Sequence, residues 1–209
     1  MLFLSPPRRI ALLGLISLAL AVGIGRFGFT PLLPVMQTDG LINIPQGGII
    51  ASAHFIGYLI GALTIARITF APRLLFSASL IAIGCGTIGM GLTDNVVVWL
   101  ILRWLNGILS AWVLVLVSSY FTSRLADTGR ADLQGWVFSG VGAGIAIAGL
   151  TCITFMISGA GSALGWRIIG IASTLCAGAT GLAPVTNFRP KVRRGTTSRR
   201  IVHRWTGGS

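Results

Sequence analysis

Residues 96–117 read VVVWLILRWLNGILSAWVLVLV, a run of 22 residues in which Arg103 is the one charged side chain. The hydrocarbon core of a bilayer is about 30 Å thick, and a helix needs about 20 mainly apolar residues to cross it. This run has the length and the composition of such a helix. It indicates a membrane protein.

Five further apolar runs of similar length flank this one. The six predicted membrane-spanning helices cover residues 10–36, 49–66, 74–92, 96–117, 136–157 and 164–183. The chain is 54% hydrophobic and only 10% charged, whereas about a quarter of the residues of a soluble domain are charged. The sustained alternation typical of a β-barrel is missing from the sequence. We predict an all-α integral membrane protein with six transmembrane helices.

Basic residues occur in alternate connections of the predicted bundle. The chain has 16 Lys and Arg against 4 Asp and Glu, a formal net charge of +12. The N-terminus, the second and fourth loops and the C-terminal tail are basic, and the other loops carry no Lys or Arg. Because short cytoplasmic segments are enriched in Lys and Arg, both termini are predicted to be cytoplasmic. The expected location is the plasma (bacterial inner) membrane, with several passes.

Three regions follow from this topology. Residues 1–9 are a cytoplasmic N-terminus, 10–183 the six-helix transmembrane domain, and 184–209 a basic cytoplasmic tail. We expect the tail to be disordered and to lie against the anionic leaflet, since each basic residue near such a surface contributes about 1 kcal/mol of attraction. The tail shows no nucleic-acid-binding module, so the lipid bilayer is predicted as a partner and nucleic acid is not.

Two arginines lie inside predicted spans. Arginine at the centre of a spanning helix costs about 2.5–3.5 kcal/mol and usually faces a protein interior or a watery cavity. Arg103, Asn106 and Ser110 share one face by their spacing, and so do Arg26 and Thr30. No acidic residue lies within a predicted span. We predict that these five residues belong to a substrate or ion pathway; the alternative is that the arginines tie helices together through backbone carbonyls.

Glycines recur at helical spacing in these spans. Small residues four apart let helix backbones approach closely in membranes. Residues with a predicted packing or gating role are Gly57, Gly61, Gly107, Gly140, Gly144 and Gly149. His54 also lies within a predicted span, and its role stays open between hydrogen-bonded packing and proton transfer.

The sequence does not predict an enzyme. An intramembrane serine protease needs a serine and a histidine on facing helices, and the candidates Ser139, Ser162 and His54 do not form a recognisable set. The cysteines have neither metal-ligand spacing nor a disulfide framework. We predict no catalytic residue, no metal and no cofactor.

Three strings resemble the YbfB/YjiJ branch of the major facilitator superfamily, and a fourth, at 103–107, is similar to the superfamily's fourth-helix motif with Asn106 in place of glutamine. The four strings are GRFGFTPLLP at 25–34, QGGIIASAHFIGYLIGA at 46–62, RWLNG at 103–107 and GWVFSGVG at 135–142. The loop at 66–73 departs from the superfamily's usual pattern because it has no aspartate. The resemblance implies one half of a transporter fold, built as a 3+3 inverted repeat whose first and fourth helices line a central cavity. It also implies a link between Arg103 and proton transfer.

These observations predict a proton-coupled secondary active transporter for a small solute, or the truncated N-terminal half of one. An anionic solute would suit the two arginines. The alternative is a non-transporting membrane fragment, or a half that pairs with a second six-helix half or with another copy of itself.

Overall fold

The computed structural model describes residues 5–181, and every regular element in that range is helical. The α-helices are α1 Pro6–Leu18, α2 Phe29–Thr38, α3 Ile44–Thr64, α4 Pro72–Met90, α5 Val96–Asp127, α6 Gln134–Ser158 and α7 Ser162–Gly181. Six helical stretches are long and apolar enough to cross a membrane, which confirms the predicted fold class. We number them spans 1 to 6: span 1 contains α1 and α2, and spans 2 to 6 contain α3 to α7. The predicted tail at 184–209 lies outside the described residues.

Span 1 is interrupted between its two α-helices. The residues Ala19–Ile24 form a π-helical segment, and four residues of turn separate it from α2. Pro31 has no backbone N–H to offer Phe27, and the Phe27 carbonyl accepts from the Thr30 amide instead, at 3.2 Å. Proline in the second half of the span predicts such an irregularity, but the irregular backbone starts earlier, at Ala19.

The spans pack in a symmetric pattern. The most extensive pairings join span 2 to span 4, span 1 to span 5, and span 3 to span 6. Exchanging spans 1, 2 and 3 for spans 4, 5 and 6 converts the first pairing into the second and leaves the third unchanged. This is the relation expected for a 3+3 inverted repeat.

Glycine pairs occupy the two related contacts. Gly57 and Gly61 of span 2 face the backbone of span 4, and Gly140 and Gly144 of span 5 face the backbone of span 1. The carbonyl oxygens that a Cβ at these glycines would overlap are, in the same order, those of Trp104, Ile108, Leu15 and Ala19. At Gly149 an added Cβ would meet no atom of the described residues within 4 Å. Close approach of backbones therefore requires glycine at the first four positions and not at the last.

Span 4 is longer than the sequence predicts. Its helix continues ten residues past the expected end, to Asp127. Phe121 and Leu125 are fully buried in this extension, and the Phe121 ring lies 6.0 Å from that of Phe76. Side-chain packing thus extends the helix beyond the length that the apolar run alone indicates.

A carboxylate joins spans 1 and 6 at the opposite end of the bundle. Asp39, directly after α2, accepts a hydrogen bond from the Ser162 amide at 2.6 Å. The first N–H groups of a helix have no partner within that helix. Asp39 therefore caps α7 and holds the end of α2 against it.

Candidate functional site

Arg103 reaches from span 4 to the interruption in span 1. Its Nη1 and Nη2 atoms donate to the carbonyl oxygens of Gly25 and Arg26, each at 2.8 Å. The side chain is only 3% exposed, and its guanidinium carbon lies 5.1 Å from the centre of the Phe29 ring. The planar guanidinium presents donors in a fixed fork, which suits two carbonyls of consecutive residues.

The charge on Arg103 is not neutralised by an acid. The chain's four acidic residues, Asp39, Asp94, Asp127 and Asp132, all lie at helix ends or in connections. Asp132, for example, forms an ion pair with Arg130. Carbonyl dipoles and an aromatic face are therefore the neighbours that stabilise the Arg103 charge.

Arg26 is surrounded by aromatic rings. Its guanidinium carbon lies 5.2 Å from the ring centre of Phe27, 5.0 Å from that of Phe55 and 4.7 Å from that of Tyr58. A guanidinium within about 6 Å of an aromatic face is attracted by the ring's quadrupole. The Nε atom is buried and has no hydrogen-bond partner among the described residues. The rings stabilise the charge of Arg26 and do not occupy its N–H groups as hydrogen-bond donors.

His54 lies beside both arginines. The side chain is 1% exposed, and it is in electrostatic range of Arg26 and Arg103. Neither ring nitrogen makes a hydrogen bond of good geometry in the described part of the chain, although the backbone of Arg103 lies within weak hydrogen-bonding reach of the ring. Gly107 allows this arrangement, because a Cβ there would overlap the His54 carbonyl oxygen and come within 2.8 Å of the Tyr58 amide nitrogen.

A comparison with known protein families shows which family the chain belongs to. The profile of the family described as "Uncharacterised MFS-type transporter YbfB" matches residues 18–204. The chain belongs to this family. No curated protein and no solved structure matches it.

Membership in the YbfB family makes the chain a multi-pass membrane protein of a transporter class, with a lipid bilayer around it. The matched residues include the interruption in span 1, Arg26, His54 and Arg103. In residues 5–181, no three His, Cys, Asp or Glu side chains are grouped as metal ligands.

The remaining predicted pathway residues of this YbfB-type chain lie apart from the arginines' contacts. Asn106 is 2% exposed, and its Oδ1 atom lies close to Gly86 of α4. The Ser110 hydroxyl donates to the Asn106 carbonyl of its own helix, at 2.5 Å. Thr30 is exposed in the first turn of α2. The three polar residues that share one face of span 4, Arg103, Asn106 and Ser110, are thus all buried, but each contacts a different neighbour.

Two features of the site in this YbfB-type chain are not predicted from the sequence. One is the set of rings around Arg26, because Phe55 and Tyr58 belong to another span and their meeting with Arg26 depends on helix packing. The other is the pair of backbone carbonyls that accept from Arg103. Pro31 predicts only that the Phe27 carbonyl, four residues upstream, loses its helical donor. The carbonyls that Arg103 binds, those of Gly25 and Arg26, have no such signal in the sequence.

Proposed function

We propose that this chain takes part in proton-coupled secondary transport of a small anionic solute. The observation that carries the proposal is that Arg26 and Arg103 both lie at the interruption in span 1, where Arg103 binds the Arg26 carbonyl, whereas the four acidic residues lie at helix ends or in connections. Charged residues within membrane spans commonly mark substrate or ion pathways. An anion is the ligand that this excess of positive charge favours.

The two arginines take different roles in this proposal. Arg103 uses both Nη atoms on the backbone of span 1, so it positions the irregular segment. Arg26 is held by aromatic faces and can turn its donors toward a carboxylate. Thr30, Asn106 and Ser110 are proposed to line the remainder of the pathway.

His54 is proposed as the proton acceptor. A protonated imidazole here would be a third positive charge near the two guanidinium groups, and like charges repel. An anion bound at Arg26 would offset that repulsion, because opposite charges attract strongly where water is scarce. Binding of the solute would therefore favour binding of a proton, which is the requirement for moving the two together.

Transport is favoured over catalysis by the surroundings of the serines. The Ser139 hydroxyl donates to the Trp136 carbonyl of its own helix at 2.8 Å, while His54 lies with the arginines of spans 1 and 4. A protease would need these two side chains on facing helices.

A second six-helix unit is proposed to complete the pathway, supplied by another copy or by another segment of chain. Spans 2 and 5 are one of the three symmetry-related pairs in this fold, and only 22% of the most apolar part of each is buried, against 72% for span 1. These two spans offer the largest free surfaces to such a unit.

Proteoliposomes that contain a pH-sensitive dye test the transport function. We expect a panel of small carboxylates, added outside, to acidify the interior faster than in protein-free vesicles. Arg26→Gln should lower the apparent affinity for the active solute about tenfold or more, since a hydrogen bond to a charged group contributes about 1.5–3 kcal/mol. Arg73→Gln is the control, because Arg73 is exposed at the start of α4.

No solute-dependent acidification by the wild-type protein, across the panel, would contradict the proposed function. Acidification that Arg26→Gln leaves unchanged would contradict only the role given to Arg26.

A further inference from the structure

A cavity of about 570 Å³ opens between the start of span 1 and the start of span 5. Arg8, Arg130, Asp132 and Trp136 line it together with apolar residues of α1, among them Leu12 and Leu15. The cavity lies at the end of the bundle that carries the N-terminus, away from the interruption in span 1. The transport site therefore does not account for it.

The lining changes from charged to apolar along the membrane normal. Leu15 is seven residues beyond Arg8 on α1, about 10 Å deeper at 1.5 Å per residue. Arg130 lies in the connection before span 5 and lines the same cavity as Arg8. Trp136 is 64% exposed beside them, and tryptophan is enriched at the membrane–water interface. A phospholipid has the same order of parts, a charged headgroup above an acyl chain.

The charge of the cavity is positive. Arg130 binds Asp132 through two hydrogen bonds, Nε to Oδ1 at 2.9 Å and Nη2 to Oδ2 at 2.7 Å. These bonds, and then the charge of Asp132, raise the pKa of Arg130, a side chain that is protonated at physiological pH in any case. Arg8 is exposed and adds a second cation. Two cations against one anion leave the lining with a net charge of +1.

We propose that this cavity binds one anionic phospholipid, whose phosphate lies between Arg8 and Arg130 and whose acyl chain follows Leu12 and Leu15. Basic pockets between transmembrane helices are suited to anionic headgroups. The partner is a lipid because the apolar wall continues the cavity toward the hydrocarbon core, where a soluble phosphate would gain nothing.

Native mass spectrometry of the protein, released from nanodiscs of equal parts phosphatidylglycerol and phosphatidylethanolamine, tests this site. The wild type should retain phosphatidylglycerol preferentially. The double variant Arg8→Ala/Arg130→Ala should retain about 25-fold less, fivefold for each arginine. Arg67→Ala/Arg73→Ala is the matched control: it removes two exposed arginines from the same end that do not line the cavity, and it should retain phosphatidylglycerol as the wild type does.

Asp132→Asn tests the same site with an expected increase, rather than a loss, of phosphatidylglycerol retention. Removing the one carboxylate of the cavity should raise phosphatidylglycerol retention about fivefold, and it decides the matter if the double alanine variant does not fold. Equal losses in both double variants would overturn the site, because they would show a general surface attraction. Unchanged retention in Asp132→Asn, or a lipid-free dimer as the tightly held species, would also overturn it.

Discussion

Arg103 combines a permanent charge with two donors at a fixed spacing, and its position in the fold uses both properties. The donors reach the carbonyls of Gly25 and Arg26 together. Lysine carries the same charge on a single nitrogen, which is a point donor on a flexible stem. A lysine at this position could bind one of the two carbonyls and would leave the other in an apolar environment.

Arg103→Lys should therefore destabilise the protein. Hydrogen bonds between transmembrane helices contribute about 0.6–1.7 kcal/mol each, so we expect the free energy of unfolding in bicelles to fall by about 1–2 kcal/mol. Steric-trapping measurements would give this value. Arg73→Lys, at an exposed position, is the control and should show no change in stability. If the Arg103 variant were as stable as the wild type, the two hydrogen bonds of Arg103 would not be stabilising the fold.

At the residue level the sequence predicts which side chains are buried better than it predicts what they touch. Helical spacing places Arg103, Asn106 and Ser110 on one face, and the structure buries all three. The i, i+4 relation between Arg26 and Thr30 assumes a continuous helix, whereas four residues of turn precede α2. Which neighbour a buried polar group finds depends on backbone geometry and on other spans, and neither is readable from spacing along one helix.

At the level of elements, two helix pairs use the same contact. In each pair two glycines four residues apart press against carbonyl oxygens of the neighbouring helix. The contact buries little side-chain surface and depends on the absence of a Cβ, since close packing of backbones takes the place of hydrophobic attraction between helices in lipid. The GxxxG spacing predicts these contacts, but the partner helix becomes known only from the structure.

Gly57→Ala and Gly140→Ala should each lower the melting temperature in detergent. Forcing a methyl group into a packed contact typically costs about 1–3 kcal/mol. The two losses should be similar, because both glycines face a carbonyl oxygen in the same way. Thermal unfolding followed by fluorescence-detected size-exclusion chromatography measures them.

Gly149→Ala is the control for both substitutions. A methyl group meets no described atom within 4 Å there, and alanine is better than glycine in a helix by up to about 1 kcal/mol. We expect equal or higher stability. A loss as large as that of Gly57→Ala would show that helix glycines in this protein matter for some reason other than close contact.

For the molecule as a whole, the thickness of the bilayer is what allows the six spans to be predicted from the sequence. A run must be about 20 residues long to cross, and this requirement predicts six spans that the structure confirms. The end of α5 cannot be predicted in the same way. Residues 118–127 are too polar to count as part of a span, and they are held in the helix by the packing of Phe121 and Leu125. The predicted orientation depends on charge alone and is best tested directly.

Cysteine labelling would establish that orientation. In a background with Cys85, Cys152 and Cys176 replaced by serine, a membrane-impermeant maleimide should label Asp94→Cys in intact cells. Thr128→Cys should react only after permeabilisation, because it lies at the arginine-rich end of the bundle. Both positions are exposed in the structure. The reverse pattern of labelling would mean that the termini face outward.

The two hydrogen bonds that Arg103 donates to span 1 have a consequence for the order in which the chain folds during synthesis. Synthesis proceeds from the N-terminus, so Arg26 leaves the ribosome 77 residues before the side chain that binds its carbonyl. Throughout that interval the interrupted backbone of span 1 lacks its permanent hydrogen-bond donor, and an unsatisfied carbonyl in hydrocarbon costs several kcal/mol. Span 1 is therefore expected to enter the membrane as a more regular helix, or close to water, and to take its final shape only when span 4 arrives. The first segment to be inserted is in this sense among the last to be finished.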